Sequence, residues 1–414
     1  MKKYFFILII SLLPAVLWAQ DTQSVAERNA AQGFNDTIDR SAENFVTISV
    51  VVADPGDILY SAFGHAMLHL QCPTFNLDYI FSYESEPIRG NWLRFLRGDL
   101  KMGMYALNPD TVYAPYAADG RGVKEYKLNL SPSQKQDLWR IMDELLAKGP
   151  DQPYDYYNRG CAITVVKVVK KALQGHQIDY GVWPAYFDGT LRELGYRCVT
   201  ESGFLWNRFV LMTLAGSDID GQLPKERKLI VPKDLAEVWQ NALLDNHPLL
   251  DSEPRIIVPS TIQPQATWFT PLLMGILLLL FTIGSFLTLW YSHKNWRLAG
   301  QVMDYVMLSL MTLIGLVVTY TVVFSSLPCT SWNWLIIPFN ILPAICWKWR
   351  QYWALPYATI CAIWLIVMTC YPHRLIDPAY IPFTLAWIIV LLKQSPWLIS
   401  KISTTFHRFL IGFR

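Results

Sequence analysis

Two side chains in this sequence have the right chemistry to work as a pair: His65, in Ser61-Ala62-Phe63-Gly64-His65, and Cys161, in Tyr154-Asp155-Tyr156-Tyr157-Asn158-Arg159-Gly160-Cys161. A thiol attacks only as its thiolate, and the start of a helix favours a negative sulfur through unpaired backbone N–H groups and the helix dipole. Cys161 stands where such a start is expected, after the turn-like Asn158-Arg159-Gly160 and before a regular stretch running to Leu173 and Gly175. Gly160 would let the chain turn tightly and leave the sulfur open. The same amides could hold the oxyanion of a tetrahedral intermediate.

His65 lies in Ala62–Leu70, where strand alternation puts Ala66, Leu68 and Leu70 on one face and His65, Met67 and His69 on the other. A cysteine–histidine pair commonly uses a third polar group to fix the imidazole, and the candidates are His69 and Glu84. Ser61, Tyr60 and Asn158 are candidates to line an oxyanion or substrate pocket. The plainer alternatives are a small cysteine packed on a helix face and a hydrogen-bonded structural histidine. His65 and His69 could converge on zinc, but no CxxC and no acidic partner stands at ligand spacing, so no metal is expected. Neither a phosphate-binding glycine loop nor a dinucleotide fingerprint is present, and no cofactor is expected.

These residues must be positioned by elements that the sequence marks out. Phe45 to Val52 is a β-branched run suited to a strand buried on both faces, and Pro55-Gly56-Asp57 makes a turn. With further strands near Leu77–Tyr83 and Val123–Leu130 it predicts a small antiparallel sheet, the aromatic and basic segment Trp92–Tyr105 lying between them. A helix is predicted over Pro132–Lys148: Ser131 caps it, Pro132 takes the first position and Gln134 completes a capping box. The fold class is α+β, followed by an all-α membrane domain.

The membrane assignment follows from composition. Of 414 residues, 52% are hydrophobic and 16% charged, too apolar for an ordinary soluble chain. Residues 1–19, with Lys2 and Lys3 before an apolar run, read as an export signal, or as one more span if uncut. Residues 20–44 read as a loose arm, 45–252 as the exported domain, 253–266 as a proline-bearing linker, 267–394 as a transmembrane domain and 395–414 as a cytoplasmic tail. About five spans are expected, near Trp268–Tyr291, Met303–Ser325, Trp334–Trp347, Ala354–Cys370 and Tyr380–Leu392. Lys294, Arg297, Lys348, Arg350, Lys393 and Lys401 fall in alternate loops, which places the C-terminus in the cytoplasm and the large domain outside. Asn340, inside a proline-broken span, either bonds between helices or shapes a lipid-facing groove. A net charge of +2 leaves no footprint for nucleic acid. Of the exported cysteines Cys72, Cys161 and Cys198, an odd number, Cys161 is expected to be free and the other two either bridged or inert.

In order, spacing and architecture, the Gly64-His65 strand, the tyrosine-rich approach to Cys161, Gly216-Ser217-Asp218 and the spans with Asn340 resemble the Lnb-type bacterial lipoprotein N-acyltransferases. That resemblance implies a papain-like periplasmic domain, its histidine preceding its cysteine as in the circularly permuted group, ahead of an inner-membrane domain. It also implies that Cys161 takes an acyl chain from a phospholipid and passes it to a lipoprotein acceptor, with His65 as base. One departure is that the family pattern has asparagine immediately before the cysteine, where this chain has Gly160, with Asn158 further upstream. The rival readings are a membrane-tethered cysteine peptidase or amidase of the cell wall, and a non-catalytic scaffold or sensor.

Overall fold

The β-branched run becomes β1 (Thr47–Ala53), a strand near the middle of the sheet that carries the site. In this computed structural model the described residues are 39–251, 253–262, 267–288, 294–327, 329–370 and 376–400. The expected signal, most of the arm and the end of the tail lie outside them. β1 pairs antiparallel with β2 (His65–Cys72), which pairs with β3 (Leu77–Ser85) and through it with β4 (Lys101–Leu107). On its other side β1 pairs with β5 (Val123–Lys127), and β6 (Gln152–Pro153) closes the far edge. The sheet is larger than expected because β4 lies within the aromatic segment and because a further edge strand, Arg255–Val258, pairs with β5. That last strand corrects the proposed linker: its first residues belong to the sheet.

Strand alternation places Ala66, Leu68 and Leu70 in the main core with Ile48, Val50 and Phe81, and Met67 in a smaller cluster on the opposite face with Val51, Ala53 and Ile80. The first face is covered by helices. Pro132–Ala147 (α3) lies there, with the expected capping box at Ser131 and Gln134, whereas Pro109–Ala118 (α2) covers the other face through Val112 and Trp92–Arg97 (α1) buries no side chain. A short helix, Tyr156–Arg159 (α4), leads into Cys161–Ala172 (α5), which packs against α3 and β2. Burying Val165, Val166 and Val169 of α5 in this core contributes about 1.5–3 kcal/mol per side chain and fixes the helix whose first residue is Cys161. The end of the expected arm is docked, not loose: Lys135 Nζ donates to the Glu43 carbonyl at 2.9 Å and Gln136 Nε2 to that of Arg40 at 2.6 Å.

Leu191–Glu201 (α6), Leu205–Leu214 (α7) and Pro232–Gln240 (α8) complete the domain. Among the described residues two helices are long and apolar enough to cross a membrane, Asn295–Phe324, within Lys294–Phe324 (α10), and Trp347–Cys370, which includes Arg350–Cys370 (α12). Pro271–Leu287 (α9) and Tyr380–Lys393 (α13) are shorter apolar helices packed with them.

The third expected span, Trp334–Trp347, is not a continuous helix. It holds two short helical turns, Trp334–Ile336 and Leu342–Ile345 (α11), because Pro338 and Pro343 interrupt the ladder. It nevertheless traverses the bundle, from Asn333, whose Nδ2 donates to Thr213 O at 2.7 Å, to Trp347, whose ring meets those of Tyr305 and Trp387. Asn340 supplies the missing hydrogen bonds: its Nδ2 donates to the Ile336 carbonyl at 3.0 Å and to Tyr357 Oη at 2.8 Å, and its Oδ1 accepts from Leu342 N at 3.0 Å. Tyr357 in turn donates to the Ile337 carbonyl at 2.8 Å. Irregular backbone at membrane depth requires this kind of internal satisfaction.

Polar contacts fasten the two parts together. Arg208 Nε reaches Asp377 Oδ2 at 2.7 Å, and the hydroxyls of Thr213 and Tyr380 are bonded. The Gly216-Ser217-Asp218 segment clasps a loop of the membrane part. Gly216 N donates to Cys329 O and Ser217 N to Trp332 O, each at 2.6 Å, and Ser331 Oγ donates to Asp218 Oδ2 at 2.6 Å. A Cβ on Gly216 would lie 2.6 Å from Cys329 O, so only glycine permits the approach.

Candidate active site

Cys161 is the first residue of α5, and Gly160 is its N-cap with no capping side chain. The amides of the first turn are therefore free of the helical ladder until Thr164 N, which bonds Gly160 O at 2.9 Å. Gly160 itself closes on α4, its N–H donating to Tyr156 O at 3.1 Å, and a Cβ there would stand 2.5 Å from that same oxygen. The glycine found where the family pattern has asparagine thus has a local reason: this backbone leaves no room for a side chain.

β2 brings His65 to the sulfur, near enough for the imidazole and the thiol each to act on the other's charge. Burial pushes the Cys161 thiol up, but the His65 charge, the bond to His65 and the amides of Ala66 and Ala162 outweigh it and hold the thiol below its ordinary value. Burial likewise works against a charged imidazole, yet the Cys161 charge, their hydrogen bond and the Glu84 carboxylate keep His65 above its ordinary value, against the opposing charge of Arg121. Both directions favour the same charged form, a thiolate beside an imidazolium, over what either group would adopt alone. Gly64 sets the strand's entry: its φ is +82°, and a Cβ would fall 2.5 Å from Ala53 O.

The far side of His65 is held by a residue the sequence reading passed over. Ser82 Oγ lies 2.8 Å from His65 Nε2 and donates to Glu84 Oε1 at 2.6 Å, while Glu84 itself is 3.9 Å from the imidazole. Glu84 therefore reaches His65 chiefly through Ser82. The signal was available in the pairing of β2 with β3: Met67 faces Ser82, which puts Ser82 and Glu84 on the face of His65.

His69 is not part of this group. It is buried, with Nδ1 2.6 Å from Glu125 and Nε2 2.5 Å from Asp78, so both nitrogens are engaged elsewhere. Asn158 is also spoken for: its Nδ2 donates to Asp155 at 2.9 Å and its Oδ1 accepts from Arg227 at 2.7 Å, which makes it a brace of the turn before Cys161. Ser61 Oγ donates to Ile58 O at 3.0 Å within its own turn. The side chain of Tyr60 lies outside the described residues. Cys72 and Cys198 are separate, buried thiols, so the bridge gives way to the alternative of two inert cysteines.

Aromatic rings wall the sulfur. Tyr156 packs at a tilt against Phe63 with centroids 5.6 Å apart, Tyr154 meets Phe95 at 5.7 Å, and both tyrosines lie close enough to Cys161 and to Cys329 of the membrane part to feel their charge. The site therefore sits where the sheet domain meets the apolar helices. Among the described residues no group of three or more histidine, cysteine or acidic side chains is placed to hold a metal ion.

No curated protein and no solved structure matches the chain. Two family profiles do, the Lnb N-terminal periplasmic domain over residues 34–192 and the Lnb transmembrane domain over residues 263–402. The first spans His65, Ser82, Glu84 and Cys161, and the second spans every apolar helix described above. Carrying both domains in that order, a periplasmic one and a membrane one, the chain belongs to the Lnb family.

Proposed function

We propose that the protein is a lipoprotein N-acyltransferase of the bacterial inner membrane, with Cys161 as nucleophile and His65 as general acid and base. The observation that carries this reading is Cys161 at a helix start with His65 beside it, each favouring the other's charged form, close to the membrane part. The Cys161 thiolate attacks an ester carbonyl of a phospholipid, and the amides at the start of α5 face the developing oxyanion. As the intermediate collapses, the carbon–oxygen bond breaks, His65 gives its proton to the departing lyso-phospholipid and a thioester remains. The α-amino group of a lipoprotein's diacylglyceryl-cysteine then attacks that thioester. His65 takes the amine proton, an amide forms, and the thiolate leaves to pair again with the imidazolium.

In this reading Ser82 and Glu84 orient His65, and the papain-like character lies in the helix-start cysteine facing a strand histidine. The membrane domain holds the site at the outer leaflet, where both lipid substrates are concentrated. The C-terminus is cytoplasmic, in keeping with Tyr380 of α13 packing toward the periplasmic domain and Lys393 lying at the helix's other end.

Intact mass spectrometry after incubation with phospholipid of defined acyl chains tests the proposal. A fatty-acyl mass on the wild type, absent from Cys161→Ala and removed by neutral hydroxylamine, is the expected result. Absence of any adduct while the thiol stays alkylatable would overturn transacylation and favour a peptidase or a scaffold.

A further inference from the structure

The segment between Glu86 and Asp99 presents adjacent large apolar side chains to the surface. It forms α1, whose Trp92 and Leu93 are 49% and 71% exposed, with Arg89 just ahead of it, while Arg94 and Arg97 pair with the flanking Glu86 and Asp99 at 2.7 and 3.1 Å. Adjacent large apolar side chains left in water at the first turn of a helix call for a partner. The position of α1 says what that partner is. Ser326, just beyond the end of α10, donates from its N and Oγ to Arg97 O at 2.8 and 3.0 Å, and Gly98, at φ +82°, lets Ser326 and Leu327 approach where a Cβ would be 2.5 Å from Ser326 Oγ. The same end of α10 leaves Val323 and Phe324 exposed. Thus α1 is tied to the end of an apolar helix, at the level where a membrane surface must lie. Tryptophan, leucine and arginine are the side chains that settle in such an interface, the arginines meeting lipid phosphates.

From there rings lead inward. Trp92 meets Phe95 at 6.2 Å, Phe95 meets Tyr154 at 5.7 Å, and Tyr154 is within reach of the charges of Cys329 and Cys161. We infer that α1 is the acyl-donor port: Trp92 and Leu93 enter the outer leaflet, Arg89 meets the donor's phosphate, and the Phe95–Tyr154 wall guides its acyl ester to Cys161. This rests on the proposal that Cys161 draws its acyl group from membrane lipid, and it adds the place where that lipid is taken.

The test uses the full chain reconstituted in vesicles of phosphatidylethanolamine and phosphatidylglycerol, with benzoylphenylalanine in place of Leu93 or, as a control, of Arg140 on the exposed side of α3. Irradiation should attach a phospholipid mass to the peptide bearing position 93 and not to that bearing position 140. A missing adduct at 93, or equal adducts at both, overturns the port. In a second arm, Leu93→Glu should lower Cys161 acylation from vesicle lipid at least tenfold relative to acylation by a water-soluble short-chain thioester; an unchanged ratio also overturns it. If the wild type is never acylated from vesicles, the acyltransfer reading fails, while the cross-link still decides whether α1 lies in the leaflet.

Discussion

Gly160→Ala isolates the geometry on which the site depends. Gly160 has φ −56° and ψ 161°, values an alanine adopts without strain, so any effect must come from the space its methyl would fill. That space is occupied: the Cβ would lie 2.5 Å from Tyr156 O, a backbone atom that cannot swing aside. An ordinary contact of roughly 3.5 Å requires the two segments to part by about 1 Å. The displaced atoms include Cys161 and the amide of Ala162, whereas His65 stays on the sheet. A misplacement of about 1 Å at reacting groups costs on the order of 100-fold in rate, and overpacking costs about 1–3 kcal/mol of stability. Single-turnover acylation of Cys161, followed by intact mass, should therefore slow about 100-fold while the thermal midpoint falls only modestly. Gly221→Ala is the control, since its φ is −73° and its nearest neighbour is 4.0 Å away. A Gly160→Ala rate within threefold of wild type would refute the claim that close packing of α4 on α5 sets the position of the sulfur.

Because the imidazolium holds the Cys161 thiol down while burial works to raise it, His65→Gln should move the midpoint of the pH–alkylation profile upward; an unmoved midpoint on iodoacetamide titration would deny the ion pair. In the wild type the fast, thiolate-dependent rate persists below the ordinary thiol range and is lost as pH falls through the lowered value. Ser82→Ala removes a hydrogen bond to a charged imidazole, worth about 1.5–3 kcal/mol, so acylation should slow about 10- to 100-fold, with Glu84→Gln slowing it less; steady-state kinetics across pH would check the order. Asn340→Leu leaves the carbonyls of the broken traverse unserved and should destabilise the membrane domain by about 2 kcal/mol or more, read as a lower thermal midpoint in detergent, with Tyr357→Phe milder.

What could be read beforehand was whatever local chemistry determines. The capping box at Ser131 and Gln134 and the alternation around His65 are short-range patterns, and both are found in the fold. Cys161 at a helix start was legible for the same reason. The missed features depend on which strands become neighbours. Ser82 matters only because β3 lies beside β2, and His69 was misjudged because Glu125, far along the chain, arrives on β5 to bind it. The strand Arg255–Val258 looked like a linker because nothing local shows that it returns to pair with β5. Trp334–Trp347 looked like a helix because hydropathy records burial and says nothing of how prolines reroute hydrogen bonds.

That irregular traverse bears on how the protein is made. An ordinary apolar helix can leave the insertion machinery alone, since its own backbone satisfies it. The segment through Asn340 cannot, because the Ile337 carbonyl waits for Tyr357, a residue synthesised later and carried on α12. Its groove on α10 is ready first, with Gly315 lying against the Asn340 backbone where a Cβ would come within 2.7 Å. The stretch between α10 and α12 is therefore left with an unserved carbonyl until α12 has been made and brought alongside.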